Sequence, residues 1–145
     1  MNLDRLTTKF QQALTQAQSL AVGRDHQFIE PSHLLLAMLD QSDSSLTHLL
    51  ARVGANVNQL RAGLLEALDR IPQVKGNQGE VHISNELTRL LNVTDKLAQQ
   101  HKDTYLSSEL LLLAAVQDKS TIGELLRKAG VDKSLLEQAI QQLRG

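Results

Sequence analysis

The stretch Phe28-Ile29-Glu30-Pro31-Ser32-His33-Leu34-Leu35-Leu36-Ala37-Met38-Leu39 decides the fold. Proline suits the first turn of a helix, where its missing N–H is not needed, so Glu30-Pro31 marks a helix start. The residues that follow are apolar on nearly every side, which predicts a helix in the middle of the molecule rather than on its surface. Seventy-seven residues later comes Tyr105-Leu106-Ser107-Ser108-Glu109-Leu110-Leu111-Leu112-Leu113-Ala114, with an aromatic, an aliphatic and then a leucine run in the same order. A second central helix is therefore expected, capped by Ser107.

Helical periodicity extends outward from these two anchors. In the first half, Leu6, Phe10, Leu14, Ala17 and Ala21 recur at steps of three and four, with Thr7 as N-cap and Gly23 as stop. After the central helix come a segment from about Ser44 to Val53, ending at Gly54, and another opened by Asn56 with Gln59 in capping-box register and carrying Val57, Leu60, Leu64, Ala67 and Leu68. In the second half, Ser84 caps a helix with Leu87, Leu90, Leu91, Thr94, Leu97 and Ala98 on one side. The Leu110–Val116 helix follows, then one from about Thr121 to Ala129 that stops at Gly130. Asp132 caps a last helix bearing Leu135, Leu136, Ala139, Ile140 and Leu143.

The matches between halves include caps and stops as well as leucines. With an offset of 77, Phe10, Leu14 and Ala21 fall on Leu87, Leu91 and Ala98; with 76, Ser44, Asn56, Gly54 and Leu60 fall on Ser120, Asp132, Gly130 and Leu136. Eight helices arranged as two pseudo-repeats of a four-helix unit are expected: repeat 1 over about 1–71, a polar loop over 72–82, and repeat 2 over about 83–143.

Composition agrees with an all-α chain. Of the 145 residues 29 are leucine and only 2% are aromatic, so strand formers are scarce and a β-sandwich or barrel is excluded. The 15 basic and 16 acidic side chains leave a net charge of -1, which argues against a nucleic-acid binder. With no cysteine there is no disulfide framework and no sulfur-based metal site. No apolar run approaches the ~20 residues a membrane span needs, and the first residues lack the basic and apolar regions of a secretory signal. A cytoplasmic protein is the expectation, and without heptads a monomer.

The motifs of catalysis are missing. There is no Gly-x-x-x-x-Gly-Lys-Ser/Thr loop, no Gly-x-Ser-x-Gly elbow and no His-x-x-x-His pair. The five histidines are dispersed, and His33 reads as a packed, hydrogen-bonded side chain. The chain is not expected to be an enzyme or to hold a metal or cofactor.

Particular residues carry a family resemblance. Met1-Asn2-Leu3-Asp4-Arg5-Leu6-Thr7-Thr8-Lys9-Phe10, Ala17-Gln18-Ser19-Leu20-Ala21, Phe28 to Leu35, Asp95-Lys96-Leu97-Ala98-Gln99 and Ser107-Ser108-Glu109-Leu110 closely resemble the N-terminal domain of the ClpB disaggregases, a branch of the Clp ATPase chaperone family. The resemblance runs over essentially the whole chain. It implies a double four-helix fold and a tether to AAA+ ATPase modules absent from this chain, which would hold the ATP and magnesium. It also implies engagement of unfolded or aggregated polypeptide, within a hexamer that works beside the DnaK system. Neither nucleic acid nor membrane is an implied partner.

The resemblance also points to positions. Family residues implicated in substrate engagement match Thr7, Asp103 and Glu109, and a family apolar groove matches Leu91, Val93, Leu97 and Leu110. Each has a structural reading beside the functional one: Thr7 as cap, Asp103 as turn former, Glu109 as an anion in a first helical turn, the apolar four as core. Val93 lies off the buried stripe of its helix, which gives that helix extra apolar width. A shallow groove there, rimmed by Asp103 and Glu109, would hold apolar segments at roughly micromolar affinity or weaker. Docking of a folded adaptor, or a spacer that gates the ring by bulk, are the alternatives.

Overall fold

The computed structural model describes residues 3–42, 45–76 and 79–145. Among these, eight α-helices follow a short 3-10 turn at Leu3–Arg5: α1 Thr8–Gly23, α2 Pro31–Leu39, α3 Ser45–Arg52, α4 Val57–Asp69, α5 Asn85–Gln100, α6 Ser108–Val116, α7 Thr121–Lys128 and α8 Lys133–Arg144. Two two-residue strands, β1 Phe28–Ile29 and β2 His82–Ile83, are the only extended elements among the described residues. Met1, Asn2, and Ser44 with its match to Ser120 lie outside them.

Caps set the helix starts. The side-chain oxygens of Thr7, Asn56, Ser84, Ser107 and Asp132 accept the N–H groups of Phe10, Gln59, Leu87, Leu110 and Leu135, each satisfying a donor the helix leaves open. Gln59 does not return the favour to Asn56; its amide donates instead to the Lys128 carbonyl of α7, tying α4 to the other repeat. The first helix of each repeat ends in a left-handed residue, Asp25 (φ 58°) and Lys102 (φ 59°), again 77 apart. Gly54 and Gly130 (φ 78° and 95°) do the same for α3 and α7, where a side chain would be strained.

Helices α2 and α6 form the centre. Every residue of α2, and all of α6 from Leu110 on, is buried. Helix α1 packs on α2 and α5 on α6; α4 bridges α2 and α7, and α8 lies across α6 and α3. One continuous core joins both repeats, from Phe10 and Leu34 through Leu64 and Leu87 to Leu111 and Leu136.

The strands make the symmetry explicit. Strand β1 pairs in parallel with β2, Phe28 opposite His82 and Ile29 opposite Ile83. The isolated parallel bridge Leu6↔Leu106 is the same pairing with the repeats exchanged, since Ile83 and Ile29 each lie 77 residues from Leu6 and Leu106. The segment entering each repeat is thus zipped to the turn before the other repeat's central helix. Thr7 N–H donates to Leu106 O (3.0 Å), and Ser84 N–H to Ile29 O (3.1 Å).

Two expectations change. The loop placed at 72–82 gives way at His82, because extended residues beside β1 find backbone partners there. Leu135 and Leu143, expected on the buried face of α8, are 50% and 52% exposed. Helix α8 packs on one side only, so Leu136, Ala139 and Ile140 fill its narrow inward stripe and the flanking leucines face solvent.

Candidate functional site

The three polar positions singled out in the sequence meet at one corner. The segment Arg5–Thr7 is bonded to 104–106 through Leu106 N–H to Arg5 O (2.7 Å), Thr7 N–H to Leu106 O (3.0 Å) and Arg5 Nε to Thr104 O (3.2 Å). Thr7 uses its hydroxyl as the α1 cap. Asp103 and Glu109 flank the 104–107 turn, and Arg144 at the end of α8 bridges them, 2.8 Å from Asp103 Oδ2 and 3.2 Å from Glu109 Oε1. Burial works against that guanidinium's charge, but its hydrogen bonds to Glu109 and Asp103 more than offset this and hold its pKa above the ordinary arginine value. Arg144 was not singled out in the sequence, where a terminal arginine reads as a helix-dipole complement.

The four apolar positions divide. Leu91 and Leu110 are core residues, 4% and 0% exposed, on α5 and α6, which pack against each other. Val93 and Leu97 are half-buried and packed against that core. The groove expected at the fifth and sixth helices therefore has no open floor at Leu91 or Leu110.

An open apolar groove lies instead against α1. Its volume is about 280 Å³, and it is lined by Leu3, Leu6, Leu14, Ile29, Val81 and Ile83 on the apolar side and by Gln11, Thr15 and Gln18 of α1 on the other. No lining side chain is charged or titratable. Leu3 is 54% exposed and Ile83 36%, and the exposed Phe28, Val22 and Val74 belong to the same β1, α1 and loop segments. Leu3 and Ile83, large apolar side chains exposed in one groove, mark a contact surface. The sequence reading left Leu3, Val81 and Ile83 unassigned because they lie on no helical face. Being apolar yet outside any periodic stripe was the available clue.

Behind β1 lies a buried polar pair. Glu30 N–H donates to His33 Nδ1 (2.8 Å), and His33 Nε2 lies 2.8 Å from His26 Nδ1 with the rings edge-to-face. Burial is the main cause that lowers both; the His26 ring and Arg24 add to it for His33, which falls to about 4, while for His26 Arg24 adds to it and Asp25 and Asp69 oppose it. His33 is thus packed and hydrogen-bonded. Among the described residues no three His, Cys, Asp or Glu side chains are placed to hold a metal ion, and no helix is long and apolar enough to cross a membrane.

Residues 5–129 match the Clp repeat (R) N-terminal domain, and the chain belongs to that family. The chaperone protein ClpB of Vibrio cholerae is 50% identical over 145 residues, 100% of this chain but 17% of that protein. ClpB of Pseudomonas putida is 52% identical with the same coverage. The chain therefore spans about a sixth of the length of the curated relatives it matches. The Hsp104 N-terminal domain from Candida albicans shares the fold, with TM-score 0.82 over 97% of this chain and 91% of that one at 24% identity. A complex of the ClpV N-domain with VipB peptide superposes with TM-score 0.77 at 26% identity, covering 94% of this chain and 85% of the ClpV chain.

Proposed function

We propose that this domain is a non-catalytic client-binding module of a ClpB-type chaperone, holding apolar segments of unfolded or aggregated polypeptide and passing them to ATPase modules. In that setting it would act within a hexamer and alongside the DnaK system. The observation that carries the reading is the uncharged apolar groove between α1 and the β1–β2 pair, open to solvent at Leu3 and Ile83. Family membership supports a binding rather than a catalytic role. The ClpV N-domain, of similar fold, takes a VipB peptide.

The groove's dimensions set the affinity. About 280 Å³ admits a few aliphatic side chains, each contributing roughly 1.5–3 kcal/mol on burial. Lost translational freedom and ordering of an unfolded chain remove most of that gain. The net is about micromolar affinity or weaker. Non-directional contact suits clients that share no sequence. Gln11, Thr15 and Gln18 offer amide and hydroxyl groups to a client's backbone. The half-buried Val93 and Leu97, with Asp103 and Glu109 nearby in sequence, form a secondary contact for basic and apolar segments.

Amide shifts recorded while titrating an unfolded client test the reading. Shifts should concentrate at Leu3, Gln11, Thr15, Val81 and Ile83, and Leu3→Asp with Ile83→Asp should weaken binding about tenfold or more. Shifts confined to other faces would overturn the groove assignment. The VipB complex favours a second reading, docking of one dedicated partner. A denatured client that fails to compete with such a partner would select it.

A further inference from the structure

The hydrogen bonds around the two buried histidines leave no place for an extra proton. Glu30 N–H points at His33 Nδ1 (2.8 Å), so that nitrogen is unprotonated and the ring proton of His33 sits on Nε2. From there it donates to His26 Nδ1, also at 2.8 Å, which assigns the His26 ring proton to its own Nε2. Protonating His26 would set two N–H groups against each other across 2.8 Å; protonating His33 would do the same against Glu30 N–H. We infer that the His26–His33 pair is an acid-sensitive latch, holding β1 and the start of α2 in place while neutral and releasing them when a proton enters, so that the groove loses its floor.

The link to the groove runs through named bonds. His26 is anchored by its N–H to Ala21 O (2.9 Å), and its neighbour Asp25 accepts Val74 N–H (2.7 Å) from the loop that goes on to supply Val81. Three residues beyond His26, Ile29 of β1 pairs with Ile83 and lines the groove. His33 is in α2's first turn, joined to Glu30 in a capping box. The charged groups that face the pair come from three elements. Arg24 after α1 opposes a proton on either ring, while Asp25 and Asp69 of α4 favour one on His26. Arg24 is itself paired to Asp69 at 2.9 Å, and Glu30 stands at the N-cap of α2.

The direction follows from linkage. Because burial holds His33 at about 4 in the folded state, against 6.5 for the free side chain, the unfolded chain binds more protons between those values. Stability is complete above pH 6.5 and falls as pH drops toward 4. His33 alone changes the folding equilibrium constant about 30-fold between pH 8 and pH 5, and His26 adds in the same sense. The groove lining contains no titratable group. Acid sensitivity of binding must therefore come from outside the lining, where His82 and Glu80 adjoin Val81 and Asp4 adjoins Leu3.

This regulation rests on the client-groove reading, and the test separates the two. Ring ¹⁵N spectra of the whole chain should show His26 and His33 as Nε2–H tautomers, with His33 neutral down to about pH 5 and His26 protonated only below the ordinary histidine range. Urea unfolding should give the 30-fold or larger loss between pH 8 and pH 5, reduced at least fivefold in His33→Leu, the leucine being the residue at the equivalent position of α6. His26→Asn, which keeps an acceptor near the Nδ1 position, provides the second variant if His33→Leu does not fold. An uncharged, end-blocked leucine-rich peptide should bind at least threefold more weakly at pH 3.5, where His33 carries a proton, than at pH 8, and this loss should be absent in His33→Leu. A pair that titrates normally, or peptide binding that is flat with pH in the wild type, overturns the latch. Absence of binding at pH 8 instead overturns the groove reading, and the spectra and unfolding then judge the latch alone.

Discussion

The two repeats share a backbone and diverge both at the start of their central helices and in their surface grooves. In repeat 1, α2 is started by Glu30 and His33, with His26 closing the chain of hydrogen bonds behind them. At the equivalent positions of repeat 2 stand Ser107, Leu110 and Asp103: a hydroxyl caps α6, the second histidine becomes a core leucine, and the first becomes a carboxylate turned out to Arg144. The grooves diverge in the same way. Leu14, Gln18 and Ile29 line the open one, and their partners 77 residues on are Leu91, Asp95 and Leu106. There Arg5 lies 3.1 Å from Asp95 and bonds Thr104 O, spanning the position that repeat 1 leaves open. Duplication provides two equivalent surfaces, and the Arg5–Asp95 pair covers one of them.

The comparison breaks first in the core. Phe10 and Leu87 are equivalent and fully buried, so Phe10→Ala should cost about 3–5 kcal/mol and Leu87→Ala about 2–5 kcal/mol in urea denaturation. Similar losses would mean that the repeats unfold as one cooperative unit; two separate transitions would mean that they do not. Next comes Gly123 of α7, where a Cβ would sit 1.9 Å from Asp118 O and 2.7 Å from an Arg127 nitrogen, while repeat 1 has Thr47 there. Gly123→Ala should cost about 3 kcal/mol, since the crowding atom is backbone and the Arg127 bonds to Val116 O and Asp118 O are lost with it.

Smaller effects sharpen the comparison. Thr7→Ala and Ser84→Ala remove equivalent caps and should each lower stability by about 1 kcal/mol. A much larger loss for Thr7, with client binding reduced, would assign it more than capping. Gly63→Ala meets only a methyl of Leu125, at 2.8 Å, and repeat 2 already has Ala139 at the matching place. A helix gains about 1 kcal/mol from that exchange, so a shift in thermal midpoint near zero or slightly upward is expected. Arg5→Ala also changes stability little. The ion pair is partly exposed and worth less than about 1 kcal/mol, yet isothermal titration should show whether a second apolar site opens beside Leu91.

What the amino-acid sequence determined alone is the helical skeleton and its duplication. Caps, left-handed stops and apolar stripes act within a few residues, so Thr7, Asn56, Ser84, Ser107 and Asp132 announce their helices without knowledge of anything distant. Which leucines remain in water was decided by tertiary structure. Leu91 and Leu110, matched to a family groove by resemblance and to the core by periodicity, lie in the core, whereas Val81 of the expected loop and Leu3 and Ile83, on no helical stripe, line the groove. The Arg144 clamp on Asp103 and Glu109, and the Arg5–Asp95 pair, join residues far apart in the chain. Exposure depends on which segments pack against one another, and periodicity along a single helix carries no information about its neighbours.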